Sequence, residues 1–306
     1  MAYKYIKFFR GALGLNTRAG PSRLIADQDT GLCELAQAIN VDVDSFRRIS
    51  RRAGAAATAC TVPAHSLYSV LQTTLFVSDF SLCRLEDDYS HTVLASLDSN
   101  YRMSYLYLNG LIYFSNGTDK GIYSMPEGTV HEWEAGEYIG PRTDREFLSP
   151  PPGEILEFHN GRIHIAEGSV LWFTEPFGYN WVDYSENYYV LPSRITMLRS
   201  IEGGMYIGTE TSLHFLQGDP PQLIHISNEN VIRGTDVLCD KDDVQSDLIE
   251  GIRHTGPCVI CASNQGILFL GQNGFTRNLT VRRIEYPVQS EGAAYIYQGK
   301  YVVIME

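Results

Sequence analysis

Five carboxylate side chains are candidates for acid–base chemistry. They are Asp87, Asp88, Glu175, Asp183 and Glu186. A glycosidase holds two such groups roughly 5 to 9.5 Å apart, one acting as acid and the other as base or nucleophile. Acidic residues in loops are more commonly just solvated, and the sequence contains no GxSxG, HExxH or Walker pattern. We therefore expect no catalytic residue and no enzymatic activity.

Metal-binding patterns are equally weak. Cys258 and Cys261 form a single CxxC inside an apolar stretch that predicts a buried strand, where residues three apart face opposite sides. No second CxxC or His pair completes a zinc set. The acidic stretch 236–250 lacks the glycine and ligand spacing of an EF-hand, so we interpret it as a solvated insertion, with a Ca²⁺ site as the alternative. We expect free cysteine thiols, no metal and no cofactor.

Four arginines are candidates for an interaction site. Valine and aspartate alternate over residues 41–44, and Ile49 continues the apolar pattern after a turn, which predicts a hairpin. The simpler interpretation is a solvated hairpin whose arginines pair with Asp42 and Asp44. The sharper one is a docking patch for an acidic neighbour, and contact with phosphate is a third, although no nucleic-acid-reading motif accompanies it. The four are Arg47, Arg48, Arg51 and Arg52.

An aromatic cluster offers a second candidate surface. Exposed, such rings could stack on sugars or anchor a protein interface, and buried they would only fill space between strands. We favour the second interpretation. The candidates for ligand stacking are Tyr179, Trp181 and Tyr184, with Tyr188 and Tyr189 close by.

Repeated strand–turn–strand units must position all of these residues. Each unit has two β-rich runs joined by a tight Asn- or Gly-containing turn, since Gly and Asn supply positive φ at low cost. The recurring turn glycines are 33 to 62 residues apart. The units with these turns are 105–115, 155–166, 197–209, 258–271 and 294–304, and a weaker copy opens the series at 66–85.

This repeat predicts an all-β fold, a β-propeller of about five to six irregular blades. The last unit has only two strands before the C-terminus, so we expect Tyr3–Phe9 to help close the ring. Helical periodicity is scarce; the spacing of Leu32, Leu35, Ala36 and Ile39 predicts one short helix.

Composition divides the chain in two. Its 306 residues carry a formal net charge of −12, yet residues 1–60 hold nine basic and five acidic side chains, whereas 61–306 are strongly acidic. We assign 1–60 to an N-terminal extension and hairpin used for ring closure or docking, and 61–306 to the propeller. We expect neither a secretory signal nor a membrane-spanning segment.

The stretch 35–54 resembles a segment near the N-terminus of β-propeller virion proteins of tailed bacteriophages, of the podovirus tail nozzle or tail-tip type. Asn40-Val-Asp42, Arg51-Arg52 and Gly54 follow the family's pattern, whereas Phe46-Arg47 and Ala53 depart from its usual glycine and proline. The resemblance covers roughly residues 10–55 and 195–220. The later matching stretches are Met205–Thr209, Leu213–Gly218 and Asp219-Pro220.

This resemblance implies a structural protein of the virion tail, in the nozzle, the tail tip or a connector-proximal ring. It would be assembled in the host cytoplasm as a homo-oligomeric ring with other tail proteins, and phage DNA would make at most passing contact with its acidic body. A receptor-binding module that recognises glycans or another surface is the alternative. A carbohydrate-cleaving propeller is a weaker third.

Overall fold

The structure, a computed structural model, describes residues 11–26, 30–43, 46–52, 62–138, 142, 144–240, 256–280, 284, 290–297 and 299–305. Within these ranges the regular secondary structure is β-strand, apart from short 3₁₀ turns at Pro21–Arg23 and Gln272–Gly274. The predicted all-β class is confirmed. None of the described segments forms a helix long and apolar enough to cross a membrane.

Five antiparallel sheets of four strands follow one another along the chain, each pairing its strands in sequence order. We number them blades 1 to 5. Blade 1 contains β5 (His65–Val70), β6 (Thr73–Ser78), β7 (Ser81–Leu85) and β8 (His91–Ser96); blade 2, β9 (Ser104–Leu108), β10 (Leu111–Ser115), β11 (Lys120–Ser124) and β12 (Thr129–His131); blade 3, β13 (Ile155–His159), β14 (Arg162–Glu167), β15 (Val170–Phe173) and β16 (Tyr188–Val190); blade 4, β17 (Ile195–Ile201), β18 (Gly204–Thr209), β19 (Leu213–Gln217) and β20 (Gln222–Ser227); blade 5, β21 (Val237–Cys239), β22 (Cys258–Ser263), β23 (Gly266–Leu270) and β24 (Thr276–Asn278).

A sixth unit has two described strands, β25 (Gly292–Tyr297) and β26 (Lys300–Met305), paired antiparallel. The first strand of each of the six units, or the residues just before it, lines one shared cavity. Consecutive four-stranded meanders arranged around a common axis define a β-propeller. The chain therefore forms a propeller with five complete blades and a sixth that has two strands in the described ranges, within the predicted range of five to six.

Two of the hairpin turns have the expected chemistry. Asn109-Gly110 has φ values of 49° and 86°, and Asn160-Gly161 has 47° and 73°, so both residues of each turn are in the left-handed region. Two-residue turns of this kind match the twist of the strands they join. In blade 4, whose unit was predicted over 197–209, the turn glycine is Gly203, with a φ of 90°, and Gly204 opens β18.

The core is divided between the blades rather than concentrated at one point. Each of five buried clusters in the described structure joins two consecutive units. Tyr206 of blade 4, for example, packs with Val259 of blade 5, and both are fully buried. Burying a large apolar side chain contributes about 1.5–3 kcal/mol, so these interfaces hold the blades as one body.

The CxxC stretch has the predicted geometry. Cys258 and Cys261 lie on β22 and are fully buried, yet they belong to clusters on opposite faces of blade 5. They therefore cannot grip one metal ion together. In the described ranges no group of three or more His, Cys, Asp or Glu side chains could hold a metal ion. Residues 241–250, most of the acidic stretch considered for Ca²⁺, lie outside the described residues.

The N-terminal residues form two small sheets outside the blades. β1 (Gly11–Leu15) pairs in parallel with β2 (Leu32–Leu35), and β3 (Val41–Val43) pairs antiparallel with β4 (Ile49–Arg51). The predicted hairpin is confirmed. The predicted helix around Leu32–Ile39 is wrong, because the backbone of its first four residues bonds to β1 instead. Tyr3–Phe9, expected to close the ring, lie outside the described residues.

Candidate functional site

The four arginines from the sequence, which we call the hairpin arginines, lie in or beside the β3–β4 hairpin and are all exposed. Arg47 occupies the turn with a φ of 63°, and its carbonyl accepts a 2.9 Å hydrogen bond from the Ala12 amide. Arg48 lies over the exposed Phe46 ring, 5.1 Å from its centroid. The hairpin thus turns its guanidinium groups towards solvent.

Asp42 connects this hairpin to the propeller. Its carboxylate contacts Arg52 at 3.2 Å and Lys300, the first residue of β26, at 3.3 Å. Desolvation raises the pKa of Asp42, but hydrogen bonds and charge from these two cations outweigh it and leave the pKa below its usual value. Arg18 adds a second connection, donating to the Ile284 carbonyl at 3.1 Å. The predicted pairing of arginine with Asp42 is present for Arg52; Asp44 lies outside the described residues.

The three candidate stacking residues lie between blades 2 and 3 and are half-buried. Tyr179 meets the rings of Tyr113 and Phe158 edge-on, at 6.2 and 6.0 Å between centroids. Trp181 donates from Nε1 to the Gly136 carbonyl at 3.1 Å, and Tyr184 donates to Ser149 O at 2.9 Å. The polar groups of Trp181 and Tyr184 are therefore engaged within the chain.

Three of the five carboxylates named from the sequence meet at one place, which we call the loop cluster. Arg142 contacts Glu175 at 3.6 Å, Asp183 at 3.6 Å and Glu186 at 3.1 Å, and Arg145 contacts Asp183 at 2.9 Å and also pairs with Glu186.

Two of the three carboxylates in the loop cluster have pKa values shifted in the wrong direction for the general acid of a glycosidase. Burial raises the pKa of Asp183, but hydrogen bonds from Ser185 and Arg145 outweigh it and lower that pKa. Hydrogen bonding from Arg145 lowers the pKa of Glu186. A general acid needs the opposite, a pKa raised towards neutrality. The two groups hold negative charge and tie the loops together.

The cavity on the propeller axis has charged residues at its wall that the sequence did not place there. Asp236, assigned from the sequence to a solvated insertion, is one of them, and its side chain is only 10% exposed. Arg199 lies on β17 of blade 4, Asp236 precedes β21 of blade 5, and Glu157 lies on β13 of blade 3. Arg199 Nε is 2.5 Å from Asp236, and its Nη1 is 3.7 Å from Glu157. We call these three residues the axial triad. It joins three blades across the wall of the cavity.

The members of the axial triad differ in how strongly their surroundings favour the charged form. Desolvation raises the pKa of Glu157 to about 7, and the attraction of Arg199 only partly offsets this. Arg199 is already engaged at short range by Asp236, whose charge raises the pKa of the guanidinium. Glu157 is therefore the member whose charge changes near neutral pH.

A second group of charges lies where the first strands begin, and we call it the mouth cluster. Glu154 accepts from Arg194 at 2.7 Å and lies 3.4 Å from Arg233, which is also 3.8 Å from Glu291. Arg102 donates from Nη1 to the Gly292 carbonyl at 2.6 Å, which links blade 2 to the sixth unit across the axis.

One signal in the sequence could have revealed the axial charges. Glu157 and Arg199 occupy the same position in successive repeats, two residues before the end of the first strand. Opposite charges at equivalent positions of adjacent blades indicate an ion pair between those two blades, beside the axis.

The mouth cluster carries this signal in part, because Glu154, Arg194 and Glu291 each directly precede the first strand of their unit. Arg102 and Arg233 stand further from their strands and share no such position.

No family model and no curated protein sequence matches the chain. Among solved structures, the AfRom2 CNH domain is 9% identical with a TM-score of 0.49, and the match covers 81% of this chain and 88% of that one. The Pan2 WD40 domain of Neurospora crassa is 10% identical with a TM-score of 0.44, covering 76% and 71%. These resemblances concern the fold alone.

PorZ, a bacterial surface component of the type-IX secretion system of Porphyromonas gingivalis, is 8% identical with a TM-score of 0.44. The match covers 76% of this chain but only 28% of PorZ, so the chain spans little more than a quarter of that protein. None of the three is a phage tail protein.

Proposed function

We propose that the chain is a non-enzymatic structural subunit of a bacteriophage tail, in the nozzle, tail tip or a connector-proximal ring. In this proposal it assembles as a homo-oligomeric ring and docks on a neighbouring tail protein. The observation that carries the docking role is the exposed hairpin with its four arginines, outside the blades. The tail assignment itself rests on the sequence resemblance.

The construction of the molecule supports an assembly role. Five inter-blade cores make the propeller a rigid support. Asp42 attaches the hairpin to it, and Arg18, which follows β1, attaches the preceding N-terminal segment. Arginine is enriched in protein interfaces because its planar fork binds carboxylates in a fixed geometry. An acidic surface on a neighbouring protein is the complementary partner.

The experiment measures assembly directly. Mass photometry of the full chain, alone and mixed with the proteins encoded beside it, should show species larger than the 34.3 kDa chain. Replacing Arg48 and Arg51 by Glu should reduce these species, because it reverses charge on the hairpin while leaving the Arg52–Asp42 contact in place. The matched control is Arg23→Glu with Arg277→Glu, both exposed and outside the hairpin.

Two results would overturn the proposal. One is a single-chain species at every concentration, with and without the neighbouring proteins. The other is equal loss of assembly in the hairpin variant and in its control, since general charge rather than the hairpin would then be responsible.

A receptor-binding module is the second candidate, and one observation favours it. Phe177 is 79% exposed in the loop that also contains the half-buried Trp181, and its backbone has a φ of 57°. An exposed ring beside further aromatic residues is the usual surface for stacking on a sugar. Glycan-array binding that is lost in Phe177→Ser and in Trp181→Ala would support this role. Absence of binding by the unaltered chain would remove it.

A further inference from the structure

The mouth cluster contains more positive than negative charge. Arg102, Arg194 and Arg233 are gathered there, and the carboxylates that pair with them are Glu154 and Glu291. Arg102 has a backbone acceptor, the Gly292 carbonyl, and no ion pair with any carboxylate of the described ranges. Three guanidinium groups of the cluster therefore share two carboxylates within ion-pair distance, and the exposed Glu210 adds only longer-range charge at Arg194.

The arginines of the mouth cluster are partly buried, and an uncompensated charge there costs more free energy than on an open surface. Arg233 is only 9% exposed. Burial lowers the pKa of its guanidinium, and the charges of Arg194 and Arg102 lower it further against the attraction of Glu154 and Glu291. Like charges held together away from water are unfavourable unless an opposite charge joins them.

The backbone makes room for Arg102 at this position. Gly234 has a φ of 78°, and a Cβ there would collide with the Arg102 guanidinium. A residue with a side chain would be strained by that φ and would push the guanidinium away. Because Gly234 has no side chain, the Arg102 guanidinium can lie against its backbone. Arg233 directly precedes Gly234, so the two cations are close enough for their charges to interact.

The cavity behind the mouth has the size and lining of a small-molecule site. Its volume is about 750 Å³, within the range of about 300–1,000 Å³ typical of ligand pockets. Tyr68 and Tyr105 stack in its wall with centroids 5.2 Å apart. Thr196 also lines it; this residue is 6% exposed, and its hydroxyl has no hydrogen-bond partner in the described structure.

We propose that the mouth cluster binds a small oxyanion, a carboxylate or a phosphate, between Arg102 and Arg233, with the rest of the ligand extending into the axial cavity. A guanidinium donates two parallel hydrogen bonds to either kind of oxyanion, which gives both affinity and orientation. The bound anion supplies the charged partner that Arg102 does not have among the described carboxylates. This site is separate from the hairpin and does not depend on the tail assignment.

The test is calorimetric titration of the full chain at low ionic strength, in one arm with inorganic phosphate and in the other with citrate. The unaltered chain should bind at least one of them, and the arm that gives heat identifies the kind of oxyanion. Arg102→Gln should weaken binding about tenfold or more, as expected for the loss of a charge-assisted contact. Arg277→Gln, on the exposed face of blade 5, is the matched control and should bind unchanged.

A second variant keeps the test decisive if Arg102→Gln fails to fold. Arg102→Lys retains the charge but loses the planar fork, so it should bind measurably but more weakly than the unaltered chain. The proposal is overturned if neither anion binds at millimolar concentration. Equal affinity in the unaltered chain and in whichever Arg102 variant folds would also overturn it.

Discussion

Arginines in the blades and arginines in the N-terminal hairpin are used in different ways. In the propeller several contact carboxylates from distant parts of the chain, as Arg199 does with Asp236 and Glu157, although Arg84 pairs locally with Glu86. In the hairpin they are exposed, and the ion pair described there is the one between Arg52 and Asp42. The other paired arginines of the blades include Arg142, Arg145, Arg194 and Arg233.

The comparison separates arginines that stabilise the fold from arginines that are exposed and available to a binding partner. A guanidinium that is partly buried against carboxylates fixes blade positions, and removing it leaves those carboxylates without compensation. An exposed guanidinium adds little to stability, because water and salt screen its interactions. Replacing an arginine should therefore destabilise the fold in the propeller and change stability little in the hairpin. Four variants test this contrast.

The largest effect is expected for Arg199→Met. This change leaves Glu157 and Asp236 close together and largely buried, so we expect a loss of about 3–5 kcal/mol in the free energy of unfolding. Urea unfolding followed by tryptophan fluorescence measures it. Arg51→Met in the hairpin is the control, with an expected change within about 0.5 kcal/mol. Similar losses for the two variants would remove the contrast.

The second effect depends on pH and involves Glu157. Its folded pKa of about 7 lies above the ordinary value of 4.5, so between these values the folded state binds more protons than the unfolded state. Stability from this group is therefore present at low pH and is lost as pH rises through about 7. We expect it to change by about 2 kcal/mol between about pH 5.5 and 8.

Glu157→Gln isolates that contribution, since an amide does not titrate. Other titratable groups also contribute to the pH dependence of stability, so the measured quantity is the difference between the unaltered chain and Glu157→Gln at each pH. That difference should grow as pH rises. A difference that is the same at both pH values would show that Glu157 is already ionised at the lower one.

The third effect concerns the space given to a blade arginine. Gly234→Ala places a Cβ at a φ of 78° and against the Arg102 guanidinium. We expect a loss of about 1–2 kcal/mol from the left-handed backbone alone, because the flexible Arg102 side chain can swing aside. Thermal unfolding measures it, with Gly136→Ala, where a Cβ meets nothing within 4 Å, as control. Equal melting temperatures for the two variants would contradict this account.

The smallest effect is expected for Arg52→Ala. Its pair with Asp42 involves an arginine side chain that is 56% exposed, and such pairs contribute about 0–1 kcal/mol. The loss should fade in high salt, as screening predicts. Unfolding measured at low and high ionic strength checks this. A loss that persists at high salt would mean that the hairpin is part of the stable core.

Much of the blade architecture could be predicted from sequence, because strand alternation and Asn-Gly turns are local properties. The hairpins at Asn109-Gly110 and Asn160-Gly161 show this. The segment Leu32–Leu35 was misread because its apolar spacing is also that of a helix, and only the distant partner β1 decides. The contact of Arg102 in the mouth cluster could not be predicted for the same reason: Arg102 and Gly292 are 190 residues apart and meet only in the ring.

That last contact also has a meaning for the order of folding. The five inter-blade cores each join consecutive units, so the blades can form one after another along the chain. The bond from Arg102 to the Gly292 carbonyl requires the second and sixth units to be in place together. We expect it to form after the main barrier, so that its loss speeds unfolding and leaves the refolding rate unchanged.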